Sequence, residues 1–207
     1  CTMGRRRPLP MIIIDDFITD RELLSKIQKD EDFWKEGYRW WSGWWNSNVP
    51  MQTRHELIET IWRTNCPPQL IGTDLEGFEH WTGILSKDKI ITNGDAINAG
   101  YALNHHFDKD EAHWHETGEV VSPKIGTVYY PPMDEPQCEG GYLKLYDTRE
   151  MDLTAPYELI APKPNRLVIF DAGKLHAVTE VTKGKRYAIA INLWEKKPSM
   201  NEMVESL

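Results

Sequence analysis

His105-His106-Phe107-Asp108 is the stretch from which the rest of the chain can be read. It holds a His-x-Asp step, His106 and Asp108, in a context that reads as strand. Alternate residues of a strand project to the same face, so this imidazole and carboxylate point together into whatever that face lines. His105 points the other way. Two ligands hold a metal poorly, and a third candidate, His176, stands far along the chain in Gly173-Lys174-Leu175-His176-Ala177-Val178. It comes after the buried run Leu167-Val168-Ile169-Phe170 and the turn Asp171-Ala172-Gly173. Two histidines and one carboxylate make the facial triad that leaves open positions for non-haem Fe(II) and oxygen chemistry. Alone, a His-x-Asp step is a chance pair; the residues C-terminal to His176 give it weight.

Beyond His176 comes Arg186, opening a strand that alternates cleanly. Arg186, Ala188, Ala190 and Asn192 share one face; Tyr187, Ile189, Ile191 and Leu193 share the other, an ordinary core face. The first sets a guanidinium beside two alanines, which leaves room for a small carboxylate ligand to take a bidentate bond. An isolated Arg at a strand edge reads instead as one half of a surface salt bridge.

Working outward, 207 residues suit one domain with a proper core. The reading sets residues 1–10 apart as a flexible tail carrying the solvated run Arg5-Arg6-Arg7. Residues 11–207 form a single domain, with helical support over about 11–75 and a β core over about 76–196. A net charge of -8, from 32 acidic and 24 basic residues, argues against a duplex nucleic-acid binder. Cys1, Cys66 and Cys138 are widely spread and odd in number, so no disulfide framework or zinc-type CxxC is visible, and a cytoplasmic chain is expected. Nothing approaches the ~20 apolar residues of a membrane span, and no secretory apolar region opens the chain.

In chain order, Met11 to Ile14 read as a short buried strand. Thr19-Asp20-Arg21-Glu22 matches a capping box with Thr19 as N-cap, opening a helix to about residue 29 that buries Leu23, Leu24 and Ile27. An aromatic cluster comes next: Phe33, Trp34, Tyr38, Trp40, Trp41, Trp44 and Trp45. Such rings either cap a core or line a substrate groove. Thr53-Arg54-His55-Glu56 is a second capping box, with His55 expected at the surface. Leu57, Ile58, Ile61 and Trp62 keep helical spacing until Asn65 and Pro67-Pro68. After residue 75, strands are expected at about 77–85, 89–92, 96–103, 124–130, 141–146, 157–160, 166–170, 175–181 and 186–194. Two helices and then many short strands predict a mainly β (α+β) chain: a sandwich or jelly roll with N-terminal supporting helices.

Together these elements resemble the Fe(II)/2-oxoglutarate-dependent oxygenases, particularly their prolyl 4-hydroxylase-like branch, over most of the chain. The carriers are Ile12-Ile13-Ile14-Asp15-Asp16-Phe17, Gly100, His106-Phe107-Asp108, Gly140-Gly141-Tyr142-Leu143 and, most specifically, His176-x-Val178-x-x-Val181-x-x-Gly184-x-Arg186-Tyr187. The resemblance implies a double-stranded β-helix with His106, Asp108 and His176 as iron ligands. Arg186 would bind the C5 carboxylate of 2-oxoglutarate. The implied cofactors are Fe(II), 2-oxoglutarate and O2, with ascorbate as a reductant. The implied reaction hydroxylates an unactivated C–H, with succinate and CO2 as co-products. Prolyl residues of a peptide or protein are the implied substrate, and a free amino acid or other small molecule is the alternative. Nucleic acid and membrane partners are not implied.

Two positions depart from the branch, since Ile97 and Leu103 stand where it has tyrosines. Tyr129, Tyr130 and Tyr101 are therefore the candidates for the missing contact to 2-oxoglutarate, and Trp114 and Trp194 the candidates for contact with substrate. Animal prolyl hydroxylases carry Lys at the position of Arg186, which weakens any specific link to collagen-type enzymes.

A second ligand set competes. His113-Trp114-His115, Glu119 and Gly126 resemble the first cupin motif, and with His176 would make another metal site in a cupin-like or non-catalytic ligand-binding protein. The leading glycine of that motif is replaced by Phe107, and cupins give no role to Arg186. Otherwise His113 and His115 belong to a mobile polar loop, Lys109 to Pro123, of the kind that closes over substrates. His80 has no partner the sequence can name.

Overall fold

The structure, a computed structural model, describes residues 10–46, 51–64, 75–89, 100–199 and 204–205. Arg5-Arg6-Arg7, Cys1, Cys66, Asn65, Pro67-Pro68 and Ile97 lie outside the described residues, as do 90–92 and 96–99 of the expected strands. Lys89 closes a short 3-10 turn, Lys87–Lys89.

The N-terminal third supplies strand β1 (Ile12–Ile14), helix α1 (Arg21–Lys29), strand β2 (Arg39–Trp41) and helix α2 (Thr53–Glu59), which runs into a π-helical turn, Thr60–Thr64. The cap of α1 is Asp20, one residue later than expected: its carboxylate accepts from the backbone N–H of Glu22 at 2.8 Å and of Leu23 at 3.3 Å. A carboxylate there satisfies orphan N–H groups and complements the helix dipole, so it displaces the neighbouring threonine. Helix α2 begins after Gln52, whose backbone N–H donates to His55 Nδ1 at 3.4 Å. His55 is thus not a surface residue. It is fully buried, stacked on Trp41 with ring centroids 4.4 Å apart. The buried Arg54 beside it donates to the carbonyls of Phe33 (2.9 Å) and Lys35 (2.7 Å) and to Thr82 Oγ1 (3.1 Å). It ties the aromatic segment to the sheet.

The later strands are β3 (Gly77–Ser86), β4 (Tyr101–His106), β5 (Ile125–Tyr130), β6 (Glu139–Gly140), β7 (Leu143–Tyr146), β8 (Tyr157–Ile160), β9 (Arg166–Phe170), β10 (His176–Thr179), β11 (Val181–Lys183), β12 (Lys185–Trp194) and β13 (Val204–Glu205). Helix α3 (Glu111–Thr117) interrupts them after β4. Among the described residues they form a large sheet in the order β1-β9-β5-β12-β3-β2-β13, a smaller one in the order β4-β10-β7-β8, and the pair β11-β6. Neighbours pair antiparallel except β13 with β2. This is a jelly roll.

The large sheet is buried on both faces, and strand alternation sorts its side chains. Tyr129, Leu167, Ile169, Ile189, Ile191 and Leu193 pack outward against α1, α2 and the aromatic segment. Val128, Tyr130, Val168, Phe170 and Ala188 point inward, meeting Leu143, Leu145 and Ile160 of the smaller sheet. Most of the early aromatic cluster belongs to the outer core: Phe33, Trp40 and Trp41 are buried, and Trp34 Nε1 donates to the Ile27 carbonyl at 2.8 Å.

Candidate metal centre

His106 ends β4 and His176 begins β10, and antiparallel pairing sets the two directly opposite each other on the inner face. Asp108 lies just past the strand end, so strand alternation does not bring it beside His106, as the sequence suggested. Its backbone N–H donates to the Ala172 carbonyl at 3.0 Å, which folds the chain back so that its carboxylate meets both imidazoles. Asp108 Oδ1 is 3.4 Å from His106 Nε2 and 3.5 Å from His176 Nε2. One ligand atom from each residue lies within 4.8 Å of the others. Both rings are held from behind: His106 Nδ1 donates to the Asn104 carbonyl at 2.6 Å, and His176 Nδ1 to the Lys174 carbonyl at 2.7 Å. A carbonyl only accepts, so the proton sits on Nδ1 and the Nε2 lone pair faces the group. Burial pushes the Asp108 carboxyl up, but His176 and His106 outweigh it and hold it well below the usual carboxylate range. Burial opposes the charged form of His106, yet Asp108 raises it above the ordinary value. Two imidazole nitrogens and one carboxylate oxygen on one side of a space fit an Fe(II)-type divalent ion with open positions.

The group opens on a cleft of about 580 Å³. One wall carries Glu79 and Trp81 of β3 with Asn192 of β12; Tyr38 stands over Trp81, ring centroids 4.9 Å apart. The other wall is α3 and its approach, with Pro198 and Ser199. The segment after Asp108 is therefore a built element as well as a polar loop. Asp110 caps α3 at His113 N (3.0 Å), accepts from Ser199 N at 2.6 Å, and its own N–H bonds the Val121 carbonyl at 2.8 Å.

Arg186 lies on the inner face of β12, buried. Its Nε donates to the Gly141 carbonyl at 2.9 Å and its Nη2 to the Tyr130 hydroxyl at 3.2 Å, with the guanidinium 5.0 Å from the Tyr130 ring centre. The step Gly140-Gly141 makes this approach possible. Gly141 has φ +67° and a Cβ there would sit 2.9 Å from Arg186 Cδ; at Gly140, φ +78°, it would sit 2.2 Å from the Glu180 carbonyl oxygen. Among the described residues no carboxylate pairs with this buried cation. Beside it, Gly83 of β3 faces Ala188 across the pairing, and a Cβ on Gly83 would meet nothing within 4 Å. An unpaired buried guanidinium next to open space suits a carboxylate ligand.

Several expected residues stand elsewhere. Tyr129 points to the outer core and donates to Asn165 Oδ1 at 2.8 Å; its neighbour Tyr130 faces Arg186 because successive strand residues face opposite ways. Tyr101 packs on His105 and accepts from Lys144 Nζ at 3.1 Å, on the sheet face turned away from the metal group. Trp194 is buried, its Nε1 donating to Glu79 Oε2 at 3.0 Å, and does not line the cleft. Trp114 lies outside the cleft lining too, under Lys109 Nζ at 4.7 Å from its ring centre. The cupin set does not assemble. His113 pairs with Glu119 Oε2 at 3.2 Å and His115 is exposed, since residues two apart on a helix face different ways. Glu79 and Trp81 escaped the sequence reading, whereas Tyr38 is the member of the early aromatic cluster that does line the cleft. Glu79 sits in a strand without a motif, and burial raises its carboxyl to about 7 although Trp194 and Asn192 donate to it.

The 2OG-Fe(II) oxygenase superfamily model matches residues 93–194, a span that holds the metal group and Arg186. This chain carries a 2OG-Fe(II) oxygenase domain. It is a 2-oxoglutarate-dependent dioxygenase, and Fe(II), 2-oxoglutarate and O2 are the cofactors of its family. Its fold is similar to that of a Pseudomonas putida prolyl-4-hydroxylase, at 12% identity and TM-score 0.55 over 92% of this chain and 87% of that one. It is also similar to an oxidoreductase of the 2OG-Fe(II) oxygenase family from Burkholderia pseudomallei, at 9% identity and TM-score 0.53, covering 94% and 88%. No curated protein sequence matches the oxygenase chain. None of its described helices is long and apolar enough to cross a membrane.

Proposed function

We propose that His106, Asp108 and His176 hold the iron, that Arg186 binds the far carboxylate of 2-oxoglutarate, and that the oxygenase hydroxylates prolyl residues of a peptide or protein. In this reading residues 11–207 act as one catalytic domain, with helical support over about 11–75 and the jelly-roll core over about 76–196. The observation that carries the site is the buried guanidinium of Arg186, with no acidic partner among the described residues, beside the open space at Gly83 and between the same two sheets as the metal group. When bound, iron and 2-oxoglutarate supply the oxidising chemistry: the cosubstrate loses CO2 to become succinate, and one oxygen atom of O2 enters a substrate C–H bond.

The chain's own part is orientation. The Nδ1–carbonyl bonds aim both imidazoles. Arg186 fixes the cosubstrate end-on, and Tyr130, whose oxygen accepts from Arg186, keeps its own proton for a ligand oxygen. Ala188, two residues from Arg186 on the inner face of β12, is small enough to leave room beside the guanidinium. The fold shared with a prolyl-4-hydroxylase and the aromatic pair Tyr38–Trp81 over the cleft support a pyrrolidine ring as the substrate group, since flat rings pack well on its C–H faces.

The test is anaerobic binding of Fe(II) and 2-oxoglutarate, read by their visible charge-transfer absorbance, and then succinate release with proline-containing peptides and with free amino acids. Wild type should show the band; His106→Ala should lose it and His113→Ala should keep it. No band in wild type, or one lost only in His113→Ala, refutes the site. Turnover with free amino acids and none with peptides refutes the substrate.

A further inference from the structure

Each imidazole of the metal group is braced by a backbone carbonyl; the carboxylate is braced by a side chain. Asn192 Nδ2 donates to Asp108 Oδ2 at 3.0 Å and to Glu79 Oε2 at 3.3 Å, and Trp194 Nε1 donates to the same Glu79 oxygen at 3.0 Å. The donors and acceptors of this relay admit one order. An indole N–H only donates, a ligating carboxylate such as Asp108 only accepts, and an amide nitrogen has two protons, one for Asp108 and one for the Glu79 oxygen that also takes the Trp194 proton. The Asn192 nitrogen must therefore face Asp108. The register of β12 against β3 builds the relay, since Asn192 lies directly opposite Glu79 and Trp194 stands two residues on along the same face. Asn192 is itself buried in the cleft wall, which holds its amide where it donates.

We propose that Asn192, braced by Glu79 and Trp194, is a positioning residue that occupies Asp108 Oδ2 and commits Oδ1 alone to the metal. The inference rests on the metal reading of His106, Asp108 and His176. Without the brace, Asp108 turns about its side-chain torsions and offers both oxygens or neither to the ion. Glu79 acts only through Asn192: it holds the amide in the one orientation that donates to Asp108. Outer partners of metal ligands characteristically change metal affinity about 10- to 100-fold when removed.

Mn(II) is the probe, titrated without oxygen or substrate and monitored by the electron paramagnetic resonance signal of the free ion. Asn192→Leu, which keeps the branched side chain and its number of heavy atoms but loses the donor, should weaken Mn(II) binding about 10- to 100-fold. Glu79→Leu should weaken it in the same direction but less, and Glu79→Gln, whose amide oxygen still accepts from Asn192, should restore affinity to within about twofold of wild type. The Asn192→Leu/Glu79→Leu pair should bind no worse than Asn192→Leu alone, because the two act in series. Thermal unfolding of each metal-free variant separates this from loss of fold. Wild type that binds Mn(II) beside an Asn192→Leu protein that binds it equally well overturns the positioning role alone. Additive losses in the double variant overturn the relay through Glu79. Wild type that binds no Mn(II) overturns the metal reading, and the positioning role with it.

Discussion

Replacing Gly83 by Ala should raise stability and lower affinity for 2-oxoglutarate at once. Gly83 faces Ala188 on the inner side of the sheet, next to the pair formed by Leu85 and Arg186. A Cβ there meets nothing within 4 Å, and the backbone is not in the left-handed region, so alanine fits without strain. Removing a glycine's freedom from the unfolded chain stabilises by about 0.4–1 kcal/mol. At roughly 2–4 °C per kcal/mol for a domain of this size, Tm should rise by about 1–4 °C. The same methyl group occupies the space assigned to the cosubstrate. An extra methyl in a packed site costs about 1–3 kcal/mol, which at 1.4 kcal/mol per tenfold is roughly a 5- to 150-fold weaker Kd. Differential scanning calorimetry of the ligand-free protein and anaerobic titration of 2-oxoglutarate into the Mn(II)-loaded protein read the two effects separately. A higher Tm with unchanged affinity places the cosubstrate elsewhere; a lower Tm shows that the space beside Gly83 is not vacant.

Arg186→Gln should weaken 2-oxoglutarate by about 10- to 150-fold, the range for losing one charge-assisted bond of ~1.5–3 kcal/mol. It should leave binding of 2-oxobutyrate, which lacks the far carboxylate, within about twofold; equal losses for both ligands would refute the assignment. Tyr130→Phe should weaken 2-oxoglutarate several-fold, whereas Tyr129→Phe should leave it unchanged and cost about 1 kcal/mol of stability through the lost bond to Asn165; the reverse pattern in titration and urea unfolding would overturn the inward–outward assignment. Burial, with Arg39 and Arg54, lowers His55 from 6.5 to about 4. The unfolded state then binds more protons over that window, so this contribution is fully present above pH 6.5 and is lost as pH falls towards 4. At ~1.36 kcal/mol per unit it amounts to about 3 kcal/mol. His55→Phe should flatten the acid limb of urea-unfolding stability by that order, and an unchanged limb would mean that His55 is not the neutral buried group described.

The strands from 124 onward were legible because alternation and turn residues recur there with little ambiguity. The β12 pattern in particular separated Arg186 and Asn192 from the helix-facing Ile189, Ile191 and Leu193, and the structure keeps that division. The helix starts were legible to within a residue. Asp20 displaces Thr19 as a cap through its charge, a small energy difference that spacing does not encode. His55 was misread because burial of a helical first turn depends on what packs over it, and Trp41 arrives from another element. Among the tyrosines, sequence proximity to a motif was no guide. Tyr129 and Tyr130 differ only in strand parity, and parity relative to the interior is set by which sheet face receives the helices.

The sequence by itself determined the ingredients: which residue types carry the chemistry, the periodicity that makes a two-layer β architecture, and the charge pattern of the Arg186 strand. Only the tertiary structure decided how they meet. His106 finds His176 through pairing of β4 with β10. Asp108 reaches them through a bond to Ala172, and Asn192 reaches Asp108 across the space between sheets. Glu79 enters only because β3 and β12 share one register. Local pattern reports a residue's preferred backbone and face, whereas a site is made of contacts between segments distant in sequence. Those contacts are fixed by sheet order and register, which no short stretch contains.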